Sequence, residues 1–337
     1  SLDGRRTMLT VDKLRAKPKG RNLPHVVLLG AGASRAAFPG GDKNGKLVPL
    51  LNDIPQILGD EWYDLIEYSK APVGNFEKQY SWLIKQNAFQ QELAAIESLI
   101  EDYFTDLDLP DHPTIYDYLV MGLRPKDVIA TFNWDPFLLL SHIRNRKIKK
   151  LPEIRFLHGS VNFTTCAEHD VLGTYQEKCP HCNCLLSKPK MFFPDGEKDY
   201  AQNRFIYREW TYVTDALKQA FHLTIFGYSG PDTDYKARQL LLEGWSQTPL
   251  RDISHVEIID VKDYKSLSDC WREYVPFAHE MILSEFWQST IALWPRRTEQ
   301  YKIAASIYGI PSEFLGPFRT ESLTELQDWF MEIAEAE

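Results

Sequence analysis

Long hydrophobic runs are missing from this chain. No stretch approaches the ~18 consecutive apolar residues of a membrane span, and the first residues carry no apolar signal core, so a cytoplasmic protein without membrane attachment is expected. Basic charge is also scarce. Lys and Arg number 38 against 47 Asp and Glu, a formal charge of -9, which argues against nucleic acid as a partner because tracking phosphates needs clustered cations. Five cysteines in 337 residues are too few for a disulfide scaffold. At that length none is needed, since one α/β domain with insertions buries a full core. Apolar residues at 44% and charged residues at 25% exclude a disordered or fibrous chain. The opening Ser-Leu-Asp-Gly-Arg-Arg-Thr reads as a trimmed tag, within a flexible segment 1–22.

Five short apolar runs, 25–31, 127–132, 154–157, 222–226 and 255–261, are continuous rather than alternating. That pattern predicts parallel strands covered on both faces by helices. A helical stripe of Phe89, Leu93, Ile96, Leu99, Ile100 and Tyr103 falls in a segment, 48–119, too long for a simple crossover, so a helical insertion is expected there. Residues 265–337 read as a helical C-terminal region, in which Ser322 and Glu325 match a capping box ahead of Leu326, Phe330 and Ile333. The fold class is therefore α/β, a doubly wound Rossmann-like parallel sheet with a helical insertion. Its ligands are expected at the carboxyl ends of the strands.

The first run leads into Gly30-Ala31-Gly32-Ala33-Ser34-Arg35. Small residues at a strand-to-helix turn let backbone N–H groups approach a diphosphate, although a tight turn without ligand has the same composition. Arg35 stands where the ordinary dinucleotide fingerprint has its third glycine, which disfavours a hydride-transfer enzyme. Residues 40–46 mimic a P-loop, but Leu47 stands where Ser or Thr must hold magnesium, so a flexible surface loop is expected. Thr131-Phe132-Asn133-Trp134-Asp135 follows the second run and Leu157-His158-Gly159-Ser160 the third, placing an amide, a carboxylate and an imidazole at neighbouring strand ends. Helix capping is the alternative use of Asn133 and Asp135. The fourth run ends in Gly227-Tyr228-Ser229-Gly230-Pro231; Pro231 replaces the closing glycine of a nucleophile elbow, so Ser229 is not read as a nucleophile. Gly227, Ser229 and, after the fifth run, Asp260 suit contacts to ribose or phosphate, or simple turn chemistry.

Four of the five cysteines cluster. Cys166 with His169, and Cys179 with Cys182, form two closely spaced pairs that suit a closed, structural tetrahedral zinc site within a small zinc-binding module at 160–195. His181 and Cys184 compete with His169 as the fourth ligand.

Taken in order, these segments resemble the sirtuin family. Gly30-Ala31-Gly32-Ala33-Ser34 is similar to its opening Gly-Ala-Gly-x-Ser loop, residues 131–135 to its Thr-x-Asn-x-Asp segment, and His158-Gly159 to its His-Gly step. The cysteine module falls where the family carries its zinc. The Phe-Asn-Trp-Asp wording, the Leu-His-Gly-Ser-Val-Asn-Phe run and the Phe-Phe-Pro stretch before Lys198 and Tyr200 resemble bacterial sirtuin-like proteins, many of which consume NAD in antiphage defence. The continuation after Ser34 departs from the deacylases, and His169 replaces a cysteine of their zinc set.

The resemblance implies NAD as substrate and a glycohydrolase yielding nicotinamide and ADP-ribose or a cyclic form, within a sirtuin-like catalytic domain over 23–337. Asn133 would position ribose and water, Asp135 would serve the nicotinamide side and His158 would be the general base. Residues 30–35, that is Gly30, Ala31, Gly32, Ala33, Ser34 and Arg35, would cradle the diphosphate, with Gly227, Ser229 and Asp260 near the adenosine. An NAD-dependent protein deacylase and a non-catalytic sensor of NAD or ADP-ribose are the competing readings. Because uncontrolled NAD loss harms its own cell, a homo-oligomer or a separate activator or sensor protein is expected to restrain it.

Overall fold

The structure, a computed structural model, describes residues 7–8, 22–166, 168–169, 171–173, 177–188, 191–193, 200, 203–230, 234–246, 254–274, 280–308, 313–314 and 318–337. Six strands make one parallel sheet: β1 (His25–Leu29), β2 (Val128–Thr131), β3 (Glu153–Phe156), β4 (His222–Phe226), β5 (His255–Ile259) and β6 (Glu280–Leu283). Their order across the sheet is β3-β2-β1-β4-β5-β6. This is the doubly wound arrangement, whose winding reverses between β1 and β4.

Two cores explain the continuous apolar runs. Strand residues Val26, Leu28, Val128, Ala130, Leu223 and Ile225 face one core, whereas Val27, Leu29, Ile129 and Phe226 face the other. Helix α1 (Ala31–Ala37) follows β1, and α2 (Ile54–Leu58), α3 (Asp60–Ser69), α4 (Phe76–Leu83), α5 (Gln90–Thr105) and α6 (Ile115–Met121) fill the span before β2. With α7 (Phe137–Arg144), they cover the second face. The first face is covered by α8 (Arg204–Gln219), α9 (Tyr235–Ser246) and α10 (Tyr264–Trp271). The chain continues through α11 (Thr290–Leu293), α12 (Thr298–Tyr308) and α13 (Leu323–Glu335). Among the described residues no helix is long and apolar enough to cross a membrane.

Several local expectations change. The buried stripe of α5 is Leu93, Ile96, Ile100 and Phe104, while Leu99 is 42% exposed, because helical steps from Leu93 carry the stripe to Phe104. Residues 40–46 form a pinned turn rather than a flexible loop. Asp42 is buried there, and its carboxylate accepts from the N–H groups of Asn44, Lys46 and Asp108 at 2.8, 2.8 and 3.1 Å. The C-terminal region contains β6, a short edge strand with Met281 exposed, so it is not wholly helical. Of the segment 1–22, Thr7–Met8 pairs with Glu313–Phe314 and Asn22 is described; its other residues lie outside the described ones. The Ser322 cap of α13 is present, its side chain accepting from the Glu325 N–H.

At the amino edge of the sheet, the His25 and His222 rings stack at 3.9 Å, 11° from parallel. His25 reaches Thr298 Oγ1 and Thr224 Oγ1 at 3.0 and 2.8 Å, whereas neither ring nitrogen of His222 has a hydrogen-bond partner among the described residues. Burial, with the nearby Lys126 and Lys302, holds His25 well below the ordinary imidazole range. Burial, His25 and the same lysines do so for His222. Both rings stay neutral in the fold and take up protons when it opens, so each removes stability as the pH drops below the ordinary value of 6.5. His222→Phe keeps a stacked ring and gives up no hydrogen bond. Between pH 7 and 5 it is expected to lose less stability than the parent in urea denaturation; equal losses would refute this account of the pair.

Candidate functional site

The strand registers gather the singled-out residues along one sheet edge. Leu29 pairs with Thr131 and with Phe226, and Thr131 pairs with Phe156. Asn133 and His158 therefore lie equally far beyond one registered pair, at adjoining strand ends, with Gly30 and Gly227 at the next two.

At the β1–β4 switch point the glycines meet one another. A Cβ on Gly30 would lie 2.5 Å from the Gly227 oxygen, and one on Gly32 2.8 Å from Gly227 Cα. Gly227 itself has φ +61°, and a Cβ there would stand 2.1 Å from the Ala33 nitrogen. Three N–H groups of the turn are already donated, Gly30 to Phe226 O at 3.0 Å, Gly32 to Gly227 O at 2.9 Å and Ala33 to Gly30 O at 2.9 Å. Close approach of two chain segments thus accounts for these small residues.

Behind the turn lies a buried polar network. Asn133 Nδ2 donates to Gly30 O and to Ser34 Oγ, both at 2.9 Å, and lies 3.3 Å from the Tyr116 hydroxyl. Ser34 Oγ donates to Asp135 Oδ2 at 2.6 Å and lies 2.6 Å from the Tyr116 hydroxyl. Asp135 Oδ1 accepts from the Phe137 N–H at 3.2 Å, so the carboxylate also closes the turn that leads into α7. Burial raises Asp135 to about 6, against the stabilising hydrogen bonds from Ser34 and Phe137. A carboxyl poised there changes charge just below neutrality. Tyr116 belongs to no motif, and only the packing of α6 brings its hydroxyl to Ser34.

His158 is buried beside this network. Its Nε2 lies 3.0 Å from the Tyr200 hydroxyl, and its ring meets Phe132 edge to face at 4.9 Å. Phe132 in turn stacks on Tyr228 at 4.0 Å, so the aromatic between Thr131 and Asn133 ties the ends of β2, β3 and β4 together. Ser160 Oγ donates to the Trp134 and Asp135 carbonyls at 2.9 and 3.1 Å, joining the two loops.

Other singled-out residues stand apart. Arg35 pairs with Asp53 and donates to Val48 O at 2.7 Å, which ties α1 to the helical segment that follows. Asp260 Oδ1 accepts from the Lys262 N–H at 3.0 Å, a turn contact. The Ser229 carbonyl accepts from Cys270 Sγ at 3.3 Å. Pro231 and Lys198 lie outside the described residues.

The cysteine module brings four candidate ligands together. One ligand atom from each of Cys166, His169, Cys179 and Cys182 falls within 4.8 Å of all the others. Cys166 Sγ lies 3.5 Å from His169 Nδ1 and from Cys182 Sγ, and Cys179 Sγ lies 3.6 Å from His169 Nδ1. A tetrahedral zinc bonded at about 2.3 Å to sulfur and about 2.1 Å to nitrogen needs ligand edges of roughly 3.5–3.8 Å, so these residues fit it. Cys184 and His181 are exposed and outside the set. With four protein ligands the ion has no open position for chemistry, and its role would be to hold the short strands Thr164–Thr165 and Leu172–Gly173 to the Cys179 turn.

No protein-family model matches the chain. No curated protein matches it. Among solved structures, it is similar to a Sir2 homologue in complex with NAD, at 12% identity, covering 89% of this chain and 96% of that one with a TM-score of 0.38. It is similar to a mutant Sir2 homologue in complex with ADP-ribose, at 13% identity, 90% and 100% coverage and a TM-score of 0.41. A third is Sir2 with an inhibitor, 2'-O-acetyl-ADP-ribose and a deacetylated peptide, at 14% identity, 89% and 98% coverage and a TM-score of 0.39.

Metal analysis of the purified protein is expected to find about one zinc per chain. Cys166→Ser or His169→Ala should lower it, whereas Cys184→Ser and His181→Ala should not; loss in either of the last two would reassign the ligands. The raised Asp135 makes a second prediction. Because the folded protein holds this proton more tightly than the unfolded chain, stability falls as the pH rises through about 4 to 6, and the ionised carboxylate costs up to about 3 kcal/mol above that range. Asp135→Asn keeps an acceptor for Ser34 without the charge. It is expected to gain about 1–3 kcal/mol at pH 8 and almost nothing at pH 4 in urea denaturation; no gain at pH 8 would show that the carboxylate is not strained.

Proposed function

We propose that this chain is an NAD glycohydrolase that releases nicotinamide and leaves ADP-ribose or a cyclic form. The observation that carries the reading is the joining of Ser34, Asn133 and Asp135 into one buried network beside His158, at the carboxyl edge of β1, β2 and β3. Breaking the bond between nicotinamide and ribose leaves an oxocarbenium-like sugar, which calls for a nearby negative charge, an oriented nucleophile and a base. Asp135 supplies the charge. The two Nδ2 hydrogens of Asn133 are engaged by Gly30 and Ser34, which leaves its Oδ1 to accept from a ribose hydroxyl or the attacking water. His158, oriented by Tyr200, takes the proton as that oxygen attacks.

The remaining assignments extend this reading. The turn over residues 30–35, with Gly227, borders the place for the diphosphate, and Ser229 and Asp260 border the adenosine side. Unrestrained hydrolysis would drain the host cell, so the reading includes restraint by self-assembly or a separate activator and a role as an antiphage effector.

The test is product analysis after incubating NAD with the purified protein, with and without an acetylated peptide. Nicotinamide and ADP-ribose, or its cyclic form, are expected without peptide and at least ~100-fold slower in Asn133→Ala and His158→Ala. The rate should fall as the pH drops through about 6, where Asp135 takes up a proton. Turnover only with peptide would replace the reading by a deacylase, and nucleotide binding without turnover under any of these conditions would leave a sensor or an effector awaiting its activator.

A further inference from the structure

The Tyr116 hydroxyl has no place in the chemistry just described, yet it is fully buried beside the acidic group of the network. For packing alone phenylalanine would serve, because a buried hydroxyl must also find a partner. Here the partner is Ser34, at 2.6 Å.

Counting protons gives the hydroxyl a direction. Ser34 has one hydrogen to donate and two lone pairs to fill. An ionised Asp135 can only accept, so the Ser34 hydrogen goes to Asp135 Oδ2 at 2.6 Å. Asn133 Nδ2 then fills one lone pair of Ser34 at 2.9 Å, and Tyr116 fills the other. Were Tyr116 to accept instead, the single Ser34 hydrogen would leave the carboxylate. Burial and the charge of Asp135 hold the phenol well above its ordinary range, so it keeps the proton that it donates.

We propose that Tyr116 is a positioning residue of the site, whose O–H, donated to Ser34, orients the Ser34 hydrogen onto Asp135 and so holds that carboxylate in its charged form. The proposal deepens the glycohydrolase reading and rests on it only for what the charge does in turnover.

The surrounding elements fix the hydroxyl. Tyr116 precedes Asp117, which closes a capping box with Thr114 at the start of α6. Asp117 accepts from Arg144 Nε at 2.7 Å and Asn145 Nδ2 at 2.8 Å, at the far end of helix α7, whose first N–H donates to Asp135. Tyr116 and Asp135 are thus attached to the two ends of one clamp. Among the described residues, Ser34 from α1 and the Phe137 N–H from α7 reach the Asp135 carboxylate, while Asn133 from the end of β2 and Tyr116 from α6 reach it through Ser34. The neighbouring charges are paired elsewhere, Arg35 with Asp53 and Asp117 with Arg144.

The test follows the Asp135 carboxyl directly, by carbon-13 shifts across a pH series in aspartate-labelled full-length protein, with Asp135→Asn identifying the signal. The parent midpoint is expected near 6. Tyr116→Phe should move it upward by roughly half to one pH unit, the effect of one lost hydrogen bond passed through Ser34. Replacing Tyr116 alone with 3-fluorotyrosine, a stronger donor, should move it downward. Unchanged midpoints overturn the proposal, and the fluorinated protein decides alone if the phenylalanine variant does not fold. NAD turnover is measured on the same samples. Shifted midpoints without any parent turnover would leave the relay standing and count against an unrestrained glycohydrolase, whereas turnover with unmoved midpoints would overturn the relay and leave the glycohydrolase reading.

Discussion

The backbone contact between the end of β1 and the end of β4 governs the functional edge. Gly32 donates to the Gly227 oxygen, and Gly227 approaches so closely that a single Cβ there would overlap the Ala33 nitrogen. This contact sets where α1 begins. From that start Ser34 is aimed at Asp135, and Gly30 offers its carbonyl to Asn133. A side chain at Gly227 would be strained twice, by its positive φ and by the overlap. The displacement would pass along α1 to the carboxylate, although Gly227 does not touch it.

The same geometry explains why the network is polar at all. A buried carboxylate without an opposite charge is unfavourable, and Asp135 receives hydrogen bonds from Ser34 and the Phe137 N–H rather than from a cation among the described residues. A fold selected for stability alone would place a neutral residue there. Retaining the carboxylate makes sense where a positive charge develops in the reaction, because a cation beside an uncompensated anion gains what the fold gives up. A lysine or arginine partner would stabilise the resting protein and cancel that gain.

Much of this is legible in the sequence, for a common reason. Strands buried on both faces are mostly apolar, so β1, β2, β4 and β5 announce themselves as short runs, whereas β3 is an edge strand that exposes Glu153 and shows only Ile154 and Phe156 as apolar positions. The cysteine and histidine spacing is likewise local, and two short pairs fit one tetrahedral centre whatever surrounds them. What stays hidden depends on distant chain segments. β6 is a short edge strand with weaker patterning, and Phe104 joins the stripe of α5 because the core lies on its side of the helix. Tyr116 looks like any aromatic in an apolar helix until Ser34 comes within reach. The glycine-rich turn is legible as a place of close approach, but that Gly227 is the segment packed against it shows only in the fold.

The two edges of the sheet also respond oppositely to acid. At the amino edge, His25 and His222 remain neutral while the unfolded chain protonates, so acidification below 6.5 weakens the fold. At the carboxyl edge, Asp135 takes up its proton near 6 while unfolded aspartate does not until near 3.8, so acidification through that window strengthens the fold. The two effects oppose each other, so the aspartate offsets part of what the histidine pair costs. The same protonation that relieves the strain at Asp135 removes the charge from the candidate active site.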